Sequence, residues 1–189
     1  MEKIGIDANA FIYPMPVTLI GALVEAKPNF LTVSWVSRIN YRPALIAAAL
    51  GKAHYTNAGI VENKTFSVNV PGQELVRLAD YCGLVSGRQS DKSRLFEVFF
   101  GTLKNAPMIK ECPLCMECRL VKSIDLDTNT LFIGEICAAY SEEKYLTDGK
   151  PDVRKIKPFT LTMPDNNYWA TGGLIARAWS AGRDIPAKE

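Results

Sequence analysis

The stretch CRLVKSIDLDTNTLFIGEICAAY, residues 118–140, decides the fold class. Its halves, CRLVKSIDL and TLFIGEICAAY, alternate apolar with polar side chains around DTNT, the pattern of two antiparallel strands and a tight turn. The same reading extends upstream. VTLIGALV (17–24) reads as a strand, EAKPN (25–29) as a turn and FLTVSWVS (30–37) as a second strand. After the loop RINYRP (38–43), ALIAAAL (44–50) is short and bracketed by Pro and Gly, which favours a buried strand over a helix. TFSVNV (65–70) alternates and stops at Pro71-Gly72. Helical spacing shows in three places. QELVRLADYC (73–82) carries apolar residues at 75, 76, 78, 79 and 82 and should end at Gly83. SRLFEVFF (93–100) is a shorter helix candidate, and YWATGGLIARAWSAG (168–182) is compatible with a short amphipathic one. The expectation is a mostly β chain with a few helices, a barrel or a related β-rich fold.

Just before the hairpin, IKECPLCMECRL (109–120) sets Cys112, Cys115 and Cys118 three apart, like three ligands of a bacterial iron–sulfur loop. That loop continues to a fourth cysteine followed by proline, whereas RLVKS follows here. Cys82 or Cys137 would have to complete the set from a distance, and no second Cys-x2-Cys or histidine pair offers a zinc site. Cys118 also reads as the opening of a strand, and strand side chains diverge to opposite faces. The expectation is therefore buried thiols at a strand entrance, acting as small hydrophobes, with no metal.

Composition narrows the function classes. The chain has 189 residues, 48% hydrophobic and 22% charged, which suits one domain over 1–189 with one sizeable core. A net charge of +2 without a Lys/Arg run gives no nucleic-acid footprint. His54 is the single histidine, so a His-ligated metal or a Ser-His-Asp triad has little material. The opening MEKIGIDANAFIYP lacks the basic start and apolar core of a signal peptide, and no apolar run nears the ~20 residues that cross a bilayer. These features lead to the expectation of a cytoplasmic protein, free of membranes, with its cysteines as thiols.

Three segments carry candidate chemistry. In ADYCGLVSGRQSDKSRLF (79–96), a helix end is followed by the turn Ser86-Gly87-Arg88 and then Lys92. Turn amides and a lysine ammonium can hold an anion, although on spacing alone a helix cap with solvated charges is the better account. A nucleoside-triphosphate loop is excluded, since it needs Gly directly before Lys and here Asp91 precedes Lys92. In NFLTVSWVSRINYRP (29–43), Thr32, Ser34 and Ser37 alternate with apolar residues including Trp35 and Val36, a lining suited to a planar heteroaromatic ligand or to an ordinary strand. In GKAHYTNAGI (51–60), Thr56 is placed as a helix N-cap, where a hydroxyl can cap the helix or meet a phosphate.

Together these segments resemble the flavin reductase-like family. The resemblance runs through Asn29-x2-Thr32-Val-Ser-Trp35-x-Ser37, Pro43, Tyr55-Thr56-x3-Ile60, Phe66-x-Val-Asn-Val-Pro71 and, most specifically, Asp80-Tyr-Cys-Gly83-x2-Ser86-Gly87-x3-Asp91-Lys92. APMIKECPLCMEC and Tyr168-Trp169-x2-Gly172 continue it, so that nearly the whole chain is covered, nearest the flavoredoxin branch. The resemblance implies an FMN-binding split β-barrel, a homodimer, and redox chemistry at the flavin. Thr56 and Lys92 would hold the FMN phosphate, assisted by Ser86 and Gly87. His54 stands where members carry a basic residue. Asn29 and the strand Thr32, Ser34, Trp35, Val36 and Ser37 would border the isoalloxazine. The implied function is an electron-transferring flavoprotein served by a donor such as NAD(P)H or reduced ferredoxin. An NAD(P)H:flavin reductase and a non-catalytic FMN-binding protein are the alternatives. No Gly-x-Gly-x2-Gly nucleotide fingerprint is present.

Overall fold

The computed structural model describes residues 2–185. In chain order the strands are β1 Met15–Pro16, β2 Thr18–Val24, β3 Lys27–Val33, β4 Val36–Asn40 and β5 Leu45–Gly51, followed by helix α1 Thr56–Asn63 and β6 Thr65–Val70. A 3-10 turn, Gln73–Leu75, leads into α2 Val76–Leu84, and another, Lys92–Leu95, precedes β7 Val98–Phe99 and β8 Met108–Ile109. The long hairpin β9 Leu114–Asp125 and β10 Asn129–Tyr140 comes next. After a further 3-10 turn, Glu143–Tyr145, the chain forms β11 Leu146–Thr147, β12 Lys150–Pro151, α3 Val153–Ile156, β13 Phe159–Thr162 and β14 Asn167–Ala170. Among the described residues no helix is long and apolar enough to cross a membrane.

Seven strands form the main sheet in the order β3-β2-β6-β9-β10-β5-β4. Its two edge strands, β3 and β4, are consecutive in the chain and joined only by Ser34-Trp35. The sheet must therefore curl until its edges approach, yet they do not pair, which leaves a split barrel rather than a closed one. Alternation then sorts the side chains into two core clusters. Ile20, Leu31, Val33, Leu50, Ile60, Phe66, Val68, Cys118 and Phe132 form one; Val17, Leu19, Phe30, Ala79, Cys82, Phe96, Met108, Cys112 and Cys115 belong to the other.

Several expectations are corrected. The turn after β2 is only Glu25-Ala26, both at positive φ, the two-residue geometry that matches hairpin twist. Pro28 is tolerated inside β3 because β3 is an edge strand. The single strand expected over 30–37 is two, broken at Ser34-Trp35, and the loop expected at 38–43 begins as β4, whose exposed edge lacks apolar alternation. Thr56 opens α1 as its first helical residue, with Tyr55 in the capping position. Helix α2 passes through Gly83 to Leu84. Residues 93–100 are not a helix: a 3-10 turn gives way to β7, which pairs with β8. Residues 168–182 form β14 and then an exposed, irregular chain, because Gly172-Gly173 interrupts the pattern and Leu174, Ile175 and Trp179 meet no core.

The cysteine triplet also has a different setting from the one expected. Cys118 lies in the middle of β9, paired with Phe66 and Ile136, not at its start. Cys112, Cys115 and Cys118 are all buried. Because three residues is an odd step along a strand, Cys115 and Cys118 point into different core clusters. Their thiols diverge. Among the described residues no group of three or more His, Cys, Asp or Glu side chains is placed to hold a metal ion.

Glu117 is buried between them and anchors the 101–103 loop. Its carboxylate accepts from the backbone N–H of Thr102 (2.8 Å) and Leu103 (2.9 Å) and from the Tyr140 hydroxyl (2.8 Å). Charge-assisted bonds of this number offset the desolvation of the buried carboxylate.

Candidate functional site

The site is built where β3, the start of α1 and the end of α2 meet. Asn29, Thr56 and Lys92 are all buried there. With His54, Ser86 and Gly87 they line a cavity of about 180 Å³. Asn29 Nδ2 donates to Thr56 Oγ1 at 2.8 Å, so the hydroxyl accepts from Asn29 and keeps its own proton to donate elsewhere. Lys92 Nζ donates to the carbonyls of Cys82 (2.7 Å) and Phe30 (3.0 Å). An ammonium has three protons, and those two bonds leave one.

The turn after α2 closes the cavity. The amides of Arg88, Gln89 and Ser90 fold back onto Ser86, at 3.3 Å to its Oγ and 2.9 and 3.2 Å to its carbonyl. Those three amides are thereby committed within the turn. Gly87 is required by packing: a Cβ there would lie 2.1 Å from Asn29 Oδ1 and 2.9 Å from the Tyr55 ring. Outside, the Arg88 guanidinium rests over the Tyr55 ring at 5.2 Å.

Electrostatics favour an anion here. Burial lowers the Lys92 pKa from its ordinary value, and the two groups it is bonded to are neutral carbonyls. Burial, and secondarily the Lys92 charge, lowers the His54 pKa as well, leaving a neutral imidazole at pH 7. An anion between them would relieve both.

His54, Gly83 and Leu84 also line a second cleft of about 460 Å³, so the two spaces share a wall. Thr32, Ser34 and Trp35 border it, facing Asp80 and Tyr168. The Thr32 hydroxyl donates to the Ala79 carbonyl, tying β3 to α2. Tyr168 donates to Asp80 Oδ1 at 2.8 Å, and its pKa is pushed up to about 12 by burial and then by the Asp80 carboxylate. A third cleft of about 560 Å³ shares Ser34 and Trp35, is completed by Val36, Ser37 and residues of the 9–16 segment, and places Phe11 6.5 Å from the Trp35 ring.

The structure thus brings Asn29, His54, Thr56, Ser86, Gly87 and Lys92 to one cavity and Thr32, Ser34 and Trp35 to the adjoining cleft. Val36 and Ser37 face the third. Reading the sequence as a string missed Asp80, Asn129, Leu161, Met163 and Tyr168 as lining residues. Only Asp80 and Tyr168 had a signal, since both fall inside quoted motifs.

An open β sheet whose split is flanked by a buried cationic cavity and a wide aromatic-rimmed cleft defines a ligand-binding split-barrel protein. The chain belongs to the flavin reductase-like family: the family model for the flavin reductase like domain matches residues 10–157. It is 54% identical to the flavoredoxin of Methanosarcina acetivorans, with a TM-score of 0.97 over 98% of this chain and 100% of that one. It is 33% identical to the flavoredoxin of Desulfovibrio vulgaris (Miyazaki F), with a TM-score of 0.89 over 96% of this chain and 100% of that one. A split barrel domain protein of Shewanella frigidimarina NCIMB 400 shares the fold, at 20% identity and a TM-score of 0.79 over 89% of this chain and 87% of that one.

Proposed function

We propose that the chain is an FMN-binding flavoprotein of flavoredoxin type that passes electrons between redox partners. The observation that carries this reading is that the buried Lys92–Thr56 cavity adjoins the Trp35–Tyr168 cleft across the shared residues His54, Gly83 and Leu84. The donor set fits the group. A phosphate needs an ammonium and hydroxyl donors, and Lys92 and Thr56 each hold one uncommitted proton at the cavity. Asn29 fixes the Thr56 hydroxyl, while Ser86 and Gly87 close the cavity over it. Ser34 and Trp35 on the rim, with Val36 and Ser37 beyond, would border the flat ring system.

When bound, FMN supplies the redox chemistry itself, and the protein sets its exposure and hydrogen bonding. The chain's own residues then bind and orient. Neutral His54, between the two spaces, serves as a hydrogen-bond partner rather than a cation. NAD(P)H or reduced ferredoxin is the donor class we propose. The test is an absorbance spectrum of purified protein, followed by anaerobic mixing with NADH, NADPH or reduced ferredoxin. Retained flavin reduced by ferredoxin but by neither nicotinamide supports the carrier. Flavin lost on dilution, with rapid NAD(P)H turnover, would make it a flavin reductase. Retained flavin reduced by none of them would leave a non-catalytic FMN-binding protein.

Thr56→Ala tests the phosphate site at modest cost. It should weaken FMN binding by about 0.5–1.5 kcal/mol, the net worth of one hydrogen bond, and leave riboflavin binding nearly unchanged. Equal losses for both ligands, measured by fluorescence titration, would move the phosphate elsewhere.

A homodimer is part of the proposal. Ile4, Ile6 and Ile12 near the start and Leu174, Ile175 and Trp179 near the end are mostly exposed, Ile175 completely. Such apolar side chains on extended segments call for cover, and a two-fold partner supplies it to both copies. Light scattering should give a mass near twice 20.9 kDa. A monomer with stoichiometric FMN would contradict the dimer.

A further inference from the structure

We propose that Cys112 and Cys115 form a dithiol–disulfide couple that exchanges with low-molecular-weight disulfides entering the cavity beside β9. Cys112-Pro113-Leu114-Cys115 is a Cys-x-x-Cys pair, a pattern that serves metal binding or redox exchange in a reducing compartment. The third cysteine of the triplet turns into the other core cluster, which separates this pair from a metal-site reading. Cys112 lies in the bend before β9 and Cys115 is the second residue of that strand. Cys115 Sγ–H donates to the Ile109 carbonyl (3.2 Å), and its sulfur lies 3.6 Å from the Cys112 carbonyl oxygen. A carbonyl oxygen is about 2.4 Å from its own Cα, so the Cys115 sulfur is within about 6 Å of the Cys112 Cα. Bridging requires the Cys115 thiol to leave these carbonyls and turn toward the Cys112 sulfur, with the two Cα atoms about 4.4–6.8 Å apart.

Both thiols line a cavity of about 360 Å³ with Glu97, Phe99, Lys110, Tyr140, Ser141 and Glu142. It shares no lining residue with the flavin cavities, so the couple is a second site. Its size admits a small disulfide and excludes a folded protein. The Cys115 thiol is held against backbone carbonyls, so Cys112 is assigned the first attack. Its thiolate, having lost its proton to solvent, attacks one sulfur of R–S–S–R and expels R–S⁻, which is protonated to R–SH. Cys115 then loses its proton and attacks the Cys112 sulfur of the mixed disulfide, releasing the second R–SH. Two electrons pass from the protein thiols to the small disulfide. Burial raises the pKa of both thiols, so exchange should be slow at neutral pH and quicken as pH rises.

The experiment equilibrates anaerobically reduced protein with graded mixtures of reduced and oxidised glutathione in mildly alkaline buffer. Acid quenching, alkylation and peptide mass mapping then locate each thiol. Wild type should lose two hydrogens, with a bridge joining Cys112 to Cys115. Cys115→Ser should instead trap one glutathione on Cys112, with FMN content unchanged. Cys112 and Cys115 remaining alkylatable thiols across the whole series would overturn the proposal, as would a bridge from either to Cys82. Wild-type mapping decides the matter even where a variant folds poorly.

Discussion

Replacing Lys92 by alanine is expected to weaken FMN binding by roughly 1.5–3 kcal/mol, the range for a charge-assisted hydrogen bond. Folding stability should fall too, by about 2–4 kcal/mol, because truncation leaves the Phe30 and Cys82 carbonyls without their donor and opens a void. The two losses separate by design. Lys92→Met keeps most of the volume, so its urea midpoint should lie above that of the alanine variant while its FMN affinity falls equally. Riboflavin, which lacks the phosphate, should bind all three proteins about alike. Equal losses for riboflavin and FMN would remove Lys92 from the phosphate site. A pH signature follows from the lowered Lys92 pKa. Between that value and the ordinary 10.5, the unfolded chain binds more protons than the folded one, so apo-protein stability rises with pH across that window. Bound phosphate raises the Lys92 pKa again, and FMN should flatten the rise.

What the sequence made legible depends on burial. TFSVNV reads unambiguously as β6 because it pairs on both sides and sits between two core clusters. The hairpin 118–140 reads well for the same reason, although β9 starts earlier, at Leu114, where Pro113 and the cysteines obscure the period. β4 was unreadable, since an exposed edge strand has no apolar face to alternate. The site divides similarly. Asn29, Thr56, Ser86, Gly87 and Lys92 lie on motifs with distinct chemistry, and chain turns bring them together. Asn129, Leu161 and Met163 reach the cleft only through the packing of distant segments, and nothing local marks them. The role of Lys92 as a bond between β3 and α2 was also invisible, because carbonyl partners leave no trace in residue type.

That placement bears on how the barrel locates the Lys92–Thr56 cavity. Lys92 fixes α2 against β3, and Thr32 does so again through its bond to Ala79. The cavity's other wall is the first turn of α1, whose position depends on β2. A ligand held between two helices in this way reports on the docking of both, so a packing lesion far from the ligand should appear in affinity.

Replacing Gly59 by valine should therefore cost about 3 kcal/mol or more of stability and weaken FMN binding as well. Gly59 is buried in the middle of α1, and a Cβ there would lie 2.1 Å from the Leu23 carbonyl oxygen and 2.8 Å from Val24 Cγ2. The first neighbour is β2 backbone, paired with β3 beside the hairpin turn, which cannot swing aside as a side chain can. The helix must move instead. Moving it strains the bond from Asn63 Nδ2 to that same Leu23 carbonyl, now 2.9 Å, and carries Thr56 away from Asn29. Gly59→Ala sets the competing effects against each other. Helix propensity alone predicts a gain of about 1 kcal/mol, whereas overpacking costs about 1–3 kcal/mol, at the upper end against rigid backbone. Sterics should win. Urea unfolding of both variants with FMN titration checks the account, with valine expected to be worse than alanine and alanine worse than wild type. An alanine variant about 1 kcal/mol more stable than wild type, with unchanged FMN affinity, would mean that α1 does not sit this close to β2.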